Sequence, residues 1–280
     1  MLASLDAAPV WLNSEPLTAE ALRGRTVAVQ FWTYSCVNWL RTLPYVAAWA
    51  ERYAGRGLVV VGAHAPEFGF EHDLGNVRRA AADLGVTYPV VIDNDFAIWR
   101  AFGNRYWPAL YLLDGEGRVR YEHFGEEAYA DEEEAIQGLL GVEEELVQVE
   151  AGGLSAAADW ANLRTPETYV AEGGGPGWRL DGRWRIEEDY AVLEEAPGSI
   201  TYRFEGRDVN LVMGGPGRFT VRLDGEPPGD DHGLDADGSG EGALAEPRMY
   251  QLIRQRAAAP RTFEITFHEP GARAYVFTFG

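Results

Sequence analysis

Cys36 is the only cysteine in this 280-residue chain, and the residues around it predict a reactive thiol. An apolar, β-leaning run from Val27 to Trp32 predicts a strand, and a short turn then leads to the cysteine. Between Trp39 and Ala50 the apolar residues recur at helical spacing, so Cys36 is expected at the start of a helix. Free backbone N–H groups and the helix dipole at such a position favour a thiolate and lower the pKa of a thiol.

The position of a second cysteine in the usual C-x-x-C pair is occupied by Trp39, in the sequence Cys36-Val37-Asn38-Trp39. In the two-cysteine cycle the first thiolate attacks a disulfide, and the second thiol resolves the mixed disulfide that results. An indole cannot perform the second half of this cycle. The sequence therefore excludes an intramolecular dithiol–disulfide cycle and leaves the chemistry of a single thiol, or none.

A lone thiolate at Cys36 has three uses, and the residues leave all three open. An external thiol could resolve the mixed disulfide, which would make the protein a monothiol exchanger. Peroxide could oxidise the sulfur to a sulfenic acid, which would make it a one-cysteine peroxidase. Alternatively the site could hold a client without processing it, as a binding or scaffold protein does.

Composition excludes several other classes of function. A formal charge of −20 argues against nucleic acid or an anionic membrane surface as a partner. All 24 basic residues are arginine, so no lysine is available for Schiff-base chemistry. No apolar run approaches the length of a membrane span, and the first residues lack the basic and apolar regions of a signal peptide. As written, the chain is therefore predicted to be cytoplasmic.

The sequence predicts no cofactor and no metal centre. Its five histidines show no metal-binding spacing, and a single cysteine cannot assemble a zinc site from sulfur ligands. The acidic, glycine-rich stretch 230–242 has oxygen ligands that could bind calcium, but its glycine is misplaced for a calcium loop. A solvated polar loop is the alternative interpretation of this stretch.

The pattern of elements predicts two domains. In residues 1–142 helices and buried strands alternate, which predicts an α/β sandwich with a mixed sheet. Residues 143–164 are acidic and then rich in glycine, and are expected to form a linker. Residues 165–280 predict an all-β sandwich of jelly-roll type, because short alternating strands are separated by turns. Eight strands are expected there, at 178–180, 184–187, 200–204, 208–213, 218–223, 248–253, 262–267 and 274–279.

The block TYSCVNWLRTLPY, residues 33–45, resembles the W-T-Y-S-C-x-N-C-x-R-x-x-P motif of thioredoxin-like (redoxin) domains in the TlpA/DipZ group. The resemblance continues through His64–Ala80, Tyr88–Asp114 and Arg120–Tyr129, and reaches the second domain at Glu246–Ile253. It implies a thioredoxin fold followed by a carbohydrate-binding-like β-sandwich, and a role in thiol–disulfide exchange. Members of this group are often extracytoplasmic.

Two site residues follow from this resemblance. Cys36 matches the attacking cysteine, and Pro108 matches a proline that is cis and lies beside that cysteine in thioredoxin-like proteins. The backbone before such a proline would offer hydrogen bonds to an extended substrate. The implied partner is a protein or small-molecule thiol or disulfide, and Trp39 is the departure that puts the two-cysteine reductase activity in question.

Further candidates surround these two residues. Trp32, Trp39 and Trp107 are expected either to line a peptide groove around the thiol or to pack in the core. Glu67 is a candidate acid for moving protons near the cysteine, with a solvated loop carboxylate as the alternative. In the second domain Trp178 and Trp184 could stack on a carbohydrate ligand, or belong to the core.

Overall fold

The computed structural model describes residues 1–280 and divides into two compact units, Met1–Ser155 and Ala156–Gly280. Helices and strands alternate in the first unit, whereas the second is built from strands and short 3-10 turns. No helix in either unit has both the length and the apolar character that crossing a membrane requires.

The first unit is organised around a mixed six-stranded sheet. Its order is β1-β4-β3-β2-β5-β6, with β2 parallel to β3 and antiparallel to β5. All seven residues of β2 are buried, as expected for a central strand that is covered on both faces. The strands are β1 (Trp11–Leu12), β2 (Thr26–Trp32), β3 (Leu58–His64), β4 (Val90–Ile92), β5 (Ala109–Leu113) and β6 (Val119–Phe124).

Four α-helices accompany this sheet: α1 (Val37–Tyr53), α2 (Leu74–Asp83), α3 (Ala97–Phe102) and α4 (Tyr129–Leu140). Helix α1 follows β2 after a turn and continues through Pro44. The expected thioredoxin-like α/β sandwich is thereby confirmed. Strand β2, the turn after it and helix α1 bring Cys36 to the edge of the sheet at which β2 ends.

The acidic stretch after α4, expected as part of a linker, is bonded to the first unit at Glu144 and Val147. Glu133 of α4 is only 1% exposed, and its carboxylate accepts the backbone N–H of Val147 at 2.9 Å. Gln137 accepts the backbone N–H of Glu144 at 2.9 Å. Both bonds satisfy side chains that helix α4 turns toward the interior.

The second unit is an all-β sandwich, as the sequence predicts. Its sheet runs β11-β10-β12-β9-β13-β7, and β8 pairs with β9 outside this path. Neighbouring strands are antiparallel except β13 and β9, which are parallel. The strands are β7 (Thr168–Tyr169), β8 (Trp178–Ile186), β9 (Ala191–Gly214), β10 (Arg218–Leu223), β11 (Glu241–Ala243), β12 (Arg248–Phe267) and β13 (Arg273–Phe279).

The strand boundaries in this unit differ from the expectation of eight short strands. β8, β9 and β12 each join two of the expected strands, and β9 alone runs for 24 residues. The pairing of β12 with β9 continues across register shifts between Gln251 and Ile253 and between Arg254 and Ala259. Such irregularities bend a strand without ending it, so the residues that suggest turns instead mark bulges.

Candidate active site

Cys36 lies at the N-cap of α1 and is half-exposed. Its backbone N–H donates to the carbonyl of Thr33 at 3.3 Å, and its own carbonyl accepts the N–H of Leu40 at 3.0 Å. The buried strand β2 fixes the start of this turn, and the helix fixes its end. Cys36 therefore stands at the start of the helix, the end at which the backbone N–H groups carry partial positive charge.

The second wall of the site is the chain before β5. The Trp107–Pro108 peptide bond is cis. The carbonyl oxygen of Trp107 is 3.8 Å from Sγ of Cys36, a distance at which the thiol donates a weak hydrogen bond. Pro108 is buried, and its carbonyl accepts the N–H of Gly125 at 2.8 Å. The structure thus brings together Cys36, Trp107 and Pro108 from distant parts of the sequence.

Trp107 is half-buried and is held in place on two sides. Its Nε1 donates to the carbonyl of Ala65 at 3.0 Å, and its ring lies 4.3 Å from that of Trp99. Because both contacts fix the indole, they also fix the carbonyl that faces the sulfur. Of the three tryptophans expected around the thiol, Trp107 is the one that adjoins it with accessible surface.

Trp32 and Trp39 do not line a groove, because both side chains are fully buried at 0% exposure. Their rings stack with centroids 4.2 Å apart. Nε1 of Trp39 donates to Oε1 of Gln30 at 3.1 Å, and Nε2 of Gln30 donates to Oγ1 of Thr42 at 2.9 Å. The residue that replaces a second cysteine is therefore a core residue with its polar atom satisfied, and the core interpretation holds for both tryptophans.

Glu71, and not Glu67, is the buried acid beside the cysteine turn. Glu67 is half-exposed, and its backbone N–H donates to Oε2 of Glu71 at 2.7 Å. Oε1 of Glu71 accepts the hydroxyl of Ser35 at 2.6 Å, and Oε2 also accepts the N–H of Phe68 at 3.0 Å. Glu71 thereby joins the loop after β3 to the residue that precedes Cys36.

Burial raises the pKa of Glu71, and the hydrogen bond from Ser35 opposes that rise. Sequence reasoning missed this residue, although it lies inside the stretch His64–Ala80 that carries the resemblance. Glu67 and Glu71 are both acids within an aromatic-rich loop, and no local pattern distinguishes the one whose side chain turns inward.

A second missed feature is a buried ion pair next to the site. Nη1 of Arg41 lies 2.6 Å from Oε1 of Glu126, with the two side chains 1% and 5% exposed. The same nitrogen lies 3.4 Å from Oδ1 of Asn38. Burial raises the pKa of Glu126, and the charge of Arg41 opposes that rise. The pair ties α1, one turn beyond Cys36, to the segment that follows β6.

Two histidines of the first unit have pKa values that are shifted in opposite directions. His64, at the end of β3, is fully buried, and desolvation lowers its pKa to about 3, so the ring is neutral. His123 on β6 lies 2.8 Å from the carboxylate of Glu132, and this hydrogen bond raises the pKa of the imidazole. Nowhere does the structure place three or more His, Cys, Asp or Glu side chains so that they could hold a metal ion.

We expect the His123–Glu132 pair to stabilise the first unit more at acidic than at alkaline pH. Because the pKa of folded His123 is raised, its contribution is full below about pH 6.5, the unfolded value, and is lost as pH rises through the folded value. Burial also raises the pKa of Glu132, which acts in the same direction. The pair is partly exposed, so His123→Gln should remove about 1 kcal/mol or less.

Urea unfolding followed by circular dichroism at several pH values measures this difference. The parent and His123→Gln curves should converge as pH rises. The matched control is His232→Gln, because His232 is an exposed histidine in a loop of the second unit. A constant gap between parent and His123→Gln across this pH range would contradict the ion-pair interpretation.

The two tryptophans considered as a carbohydrate site pack within the second unit. Trp178 is 6% exposed and belongs to the core, and Trp184 packs edge-on against Phe267 with Nε1 bonded to the carbonyl of Asp181 at 3.1 Å. Trp178 is too deeply buried to stack on a sugar, and Trp184 is partly buried against the core. The expectation of a carbohydrate ligand, so far as it rests on these two tryptophans, therefore lacks support.

The acidic loop 230–242 is held by bonds within the protein. Asp235 accepts Arg248 Nη2 at 2.6 Å and the N–H of Gln251 at 2.8 Å. Asp237 accepts the hydroxyl of Ser239 at 2.6 Å and the N–H of Glu241 at 3.0 Å. Its oxygens serve as anchors for the loop, and the polar-loop interpretation describes it better than a calcium site.

Family models match each unit separately. Residues 9–139 match the Redoxin model, and residues 161–280 match the model described as Thioredoxin like C-terminal domain. The chain is 33% identical over 299 residues to Protein DipZ of Mycobacterium tuberculosis, an alignment that covers 96% of this chain and 41% of DipZ. It is 31% identical over 115 residues to Thiol-disulfide oxidoreductase YkuV of Bacillus subtilis, covering 41% of this chain and 77% of YkuV.

A thioredoxin fold with one half-exposed thiol at a helix start defines a protein of the thioredoxin-like redox class. The chain belongs to the redoxin family of thioredoxin-like thiol-disulfide oxidoreductases, and it carries the C-terminal domain that accompanies that fold in DipZ. It spans less than half of the length of DipZ. A solved thioredoxin-like protein in its oxidised form is 31% identical, with a TM-score of 0.44, covering 48% of this chain and 91% of that one.

Proposed function

We propose that the protein performs monothiol exchange with Cys36 as the nucleophile. The Cys36 thiolate attacks one sulfur of a disulfide, a new S–S bond forms to Cys36, and the other sulfur leaves as a thiolate with the electron pair. An external thiol then attacks the mixed disulfide and regenerates Cys36 as it takes the client sulfur. The substrates are protein or small-molecule disulfides, and the external thiol is the reductant.

One observation carries this proposal: Cys36 is half-exposed at the N-cap of α1 while Trp39 fills the resolving position as a buried, hydrogen-bonded core residue. The thiol keeps access to solvent and the field of a helix start. The chain offers no other sulfur nucleophile to release it. Trp107 and Pro108 frame the sulfur on the side away from the helix, and Glu71 holds the turn before it.

Incubating the full chain with cystine and then with excess cysteine tests the cycle by intact-mass spectrometry. We expect one half-cystine adduct per chain, located on Cys36 by peptide mapping, and its complete removal by the added thiol. Cys36→Ser should acquire no adduct, because the methionine sulfurs do not exchange. Absence of an adduct on the parent, or an adduct that cysteine cannot remove, would refute monothiol exchange.

A binding protein that holds clients without turnover is the second candidate, and the contact between Sγ and the Trp107 carbonyl favours it. A carbonyl oxygen accepts a bond from a protonated thiol and repels a thiolate. Under this alternative Cys36→Ser retains client binding and every cellular function. Loss of function in Cys36→Ser would exclude it and leave the redox proposal.

A further inference from the structure

Two exposed aromatic residues directly precede residues of the thiol site in the chain. Apart from Met1, the exposed large apolar side chains of the first unit are Tyr106, at 53%, and Phe124, at 42%. Their ring centroids are 5.3 Å apart, so they form one surface, named here the aromatic pair. Exposing adjacent aromatic rings is unfavourable in water, and a protein that retains such a surface commonly uses it for binding.

Contacts with neighbouring residues position Phe124 and the backbone of Tyr106. Phe124 ends β6, where it pairs with Ala109, and its ring lies 5.9 Å from that of Tyr111. The carbonyl of Tyr106 accepts Nδ2 of the buried Asn104 at 3.0 Å. These contacts fix both residues before any client arrives, which limits the entropy lost on binding.

The aromatic pair is also continuous with the thiol site. Tyr106 directly precedes Trp107, whose carbonyl lies 3.8 Å from the sulfur of Cys36. Phe124 directly precedes Gly125, whose N–H donates to the carbonyl of Pro108. The Cα atoms of Tyr106 and Phe124 are therefore each one chain step, about 3.8 Å, from the Cα of a residue that lies at the thiol site.

We propose that the aromatic pair binds a large apolar side chain of a protein client, next to the client cysteine that reacts with Cys36. This inference rests on the proposed monothiol exchange and names its substrate class: an extended protein segment with an aromatic residue beside its half-cystine. In an extended segment successive residues rise about 3.3 Å along the chain, so a residue next to the client cysteine stays close to the loop and the strand end that carry the two rings. A small disulfide such as cystine has no apolar group to cover the two rings.

Two short peptides that differ in one residue provide the test. Ala-Phe-Cys-Ser-Ala and Ala-Ser-Cys-Ser-Ala are each prepared as a mixed disulfide with thionitrobenzoate. The Cys36 thiolate attacks the peptide sulfur, the S–S bond of the probe breaks, and thionitrobenzoate leaves with the electron pair and is followed by its absorbance. Cystine serves as the small disulfide that makes no aromatic contact, and its reaction, which releases cysteine, is followed by intact-mass spectrometry as the half-cystine adduct.

The parent chain should react with the Phe peptide roughly three- to tenfold faster than with the Ser peptide, the range expected for one aromatic contact. In Tyr106→Ser and in Phe124→Ser this preference should fall below about twofold, with the cystine rate unchanged. Tyr169→Ser, an exposed tyrosine of the second unit, is the matched control and should retain the full preference.

The test distinguishes failure of the aromatic subsite from failure of monothiol exchange. Equal rates with both peptides in a parent chain that still reacts with cystine would overturn the aromatic subsite and leave monothiol exchange intact. A parent chain that reacts with none of the three disulfides would overturn both proposals. Retention of the preference in Tyr106→Ser and Phe124→Ser together would also exclude the aromatic pair.

Discussion

Replacing Trp39 by cysteine is expected to lower the free energy of unfolding of the first unit by about 3 to 5 kcal/mol, as for other large-to-small substitutions in cores. The indole is completely buried and stacked on Trp32, so its removal leaves a cavity. The substitution also deprives Oε1 of Gln30 of its hydrogen-bond donor. Restoring the second cysteine therefore does not simply restore a two-cysteine site.

The measurement is urea unfolding of the full chain followed by far-ultraviolet circular dichroism at a helix band. This signal reports the first unit, because all four α-helices lie in it. Trp39→Phe is the matched control: it keeps an aromatic ring against Trp32 and loses the N–H, so about 1 to 3 kcal/mol should be lost. A Trp39→Cys chain as stable as the parent would show that the indole does not contribute to the stability of the first unit.

The buried ion pair next to the site gives the second large effect. Arg41→Met should destabilise the first unit by about 3 to 5 kcal/mol at neutral pH, because Glu126 then remains buried without its counter-charge. Replacing both partners, as Arg41→Met with Glu126→Leu, should recover most of this loss, because an apolar pair leaves no unpaired charge.

The pH dependence of Arg41→Met provides a check with a defined sign. Burial already raises the pKa of Glu126, and the substitution removes the charge that opposes this rise. A carboxyl whose folded pKa is raised loses stability as pH rises through that pKa. The deficit of Arg41→Met should therefore shrink as the solution is acidified, and the double variant should show no such recovery. A pH-independent deficit would contradict this account.

These predictions concern residues whose importance the sequence only partly reveals. Trp39 is recognisable as the departure from C-x-x-C, but its role as a core residue depends on Gln30 and Trp32, which lie on a different element. Arg41 stands within the motif that carries the resemblance, yet its partner Glu126 is 85 residues away. Long-range partners of this kind leave no periodic or turn signal.

Dependence on long-range partners also explains two differences between the sequence-based expectations and the structure. In the second unit the expected turns within β9 and β12 are bulges, because pairing with neighbouring strands continues across them. Local composition gives the same glycine and alanine signals for a turn and for a bent strand. In the loop after β3 the side chain that turns inward belongs to Glu71, and the strand and turn it packs against decide this.

The sequence by itself determined the strand, turn and helix that present Cys36, the loss of its resolving partner, and the order of an α/β unit before an all-β unit. These features follow from local propensity, hydrophobic period and residue identity, which act over a few neighbouring positions. Only the tertiary structure decided that Trp39 is sealed in the core, that Glu71 supports the cysteine turn, and that Tyr106 and Phe124 form one exposed surface. Burial and contact are properties of residues that meet in space, and here they meet from separate elements of the chain.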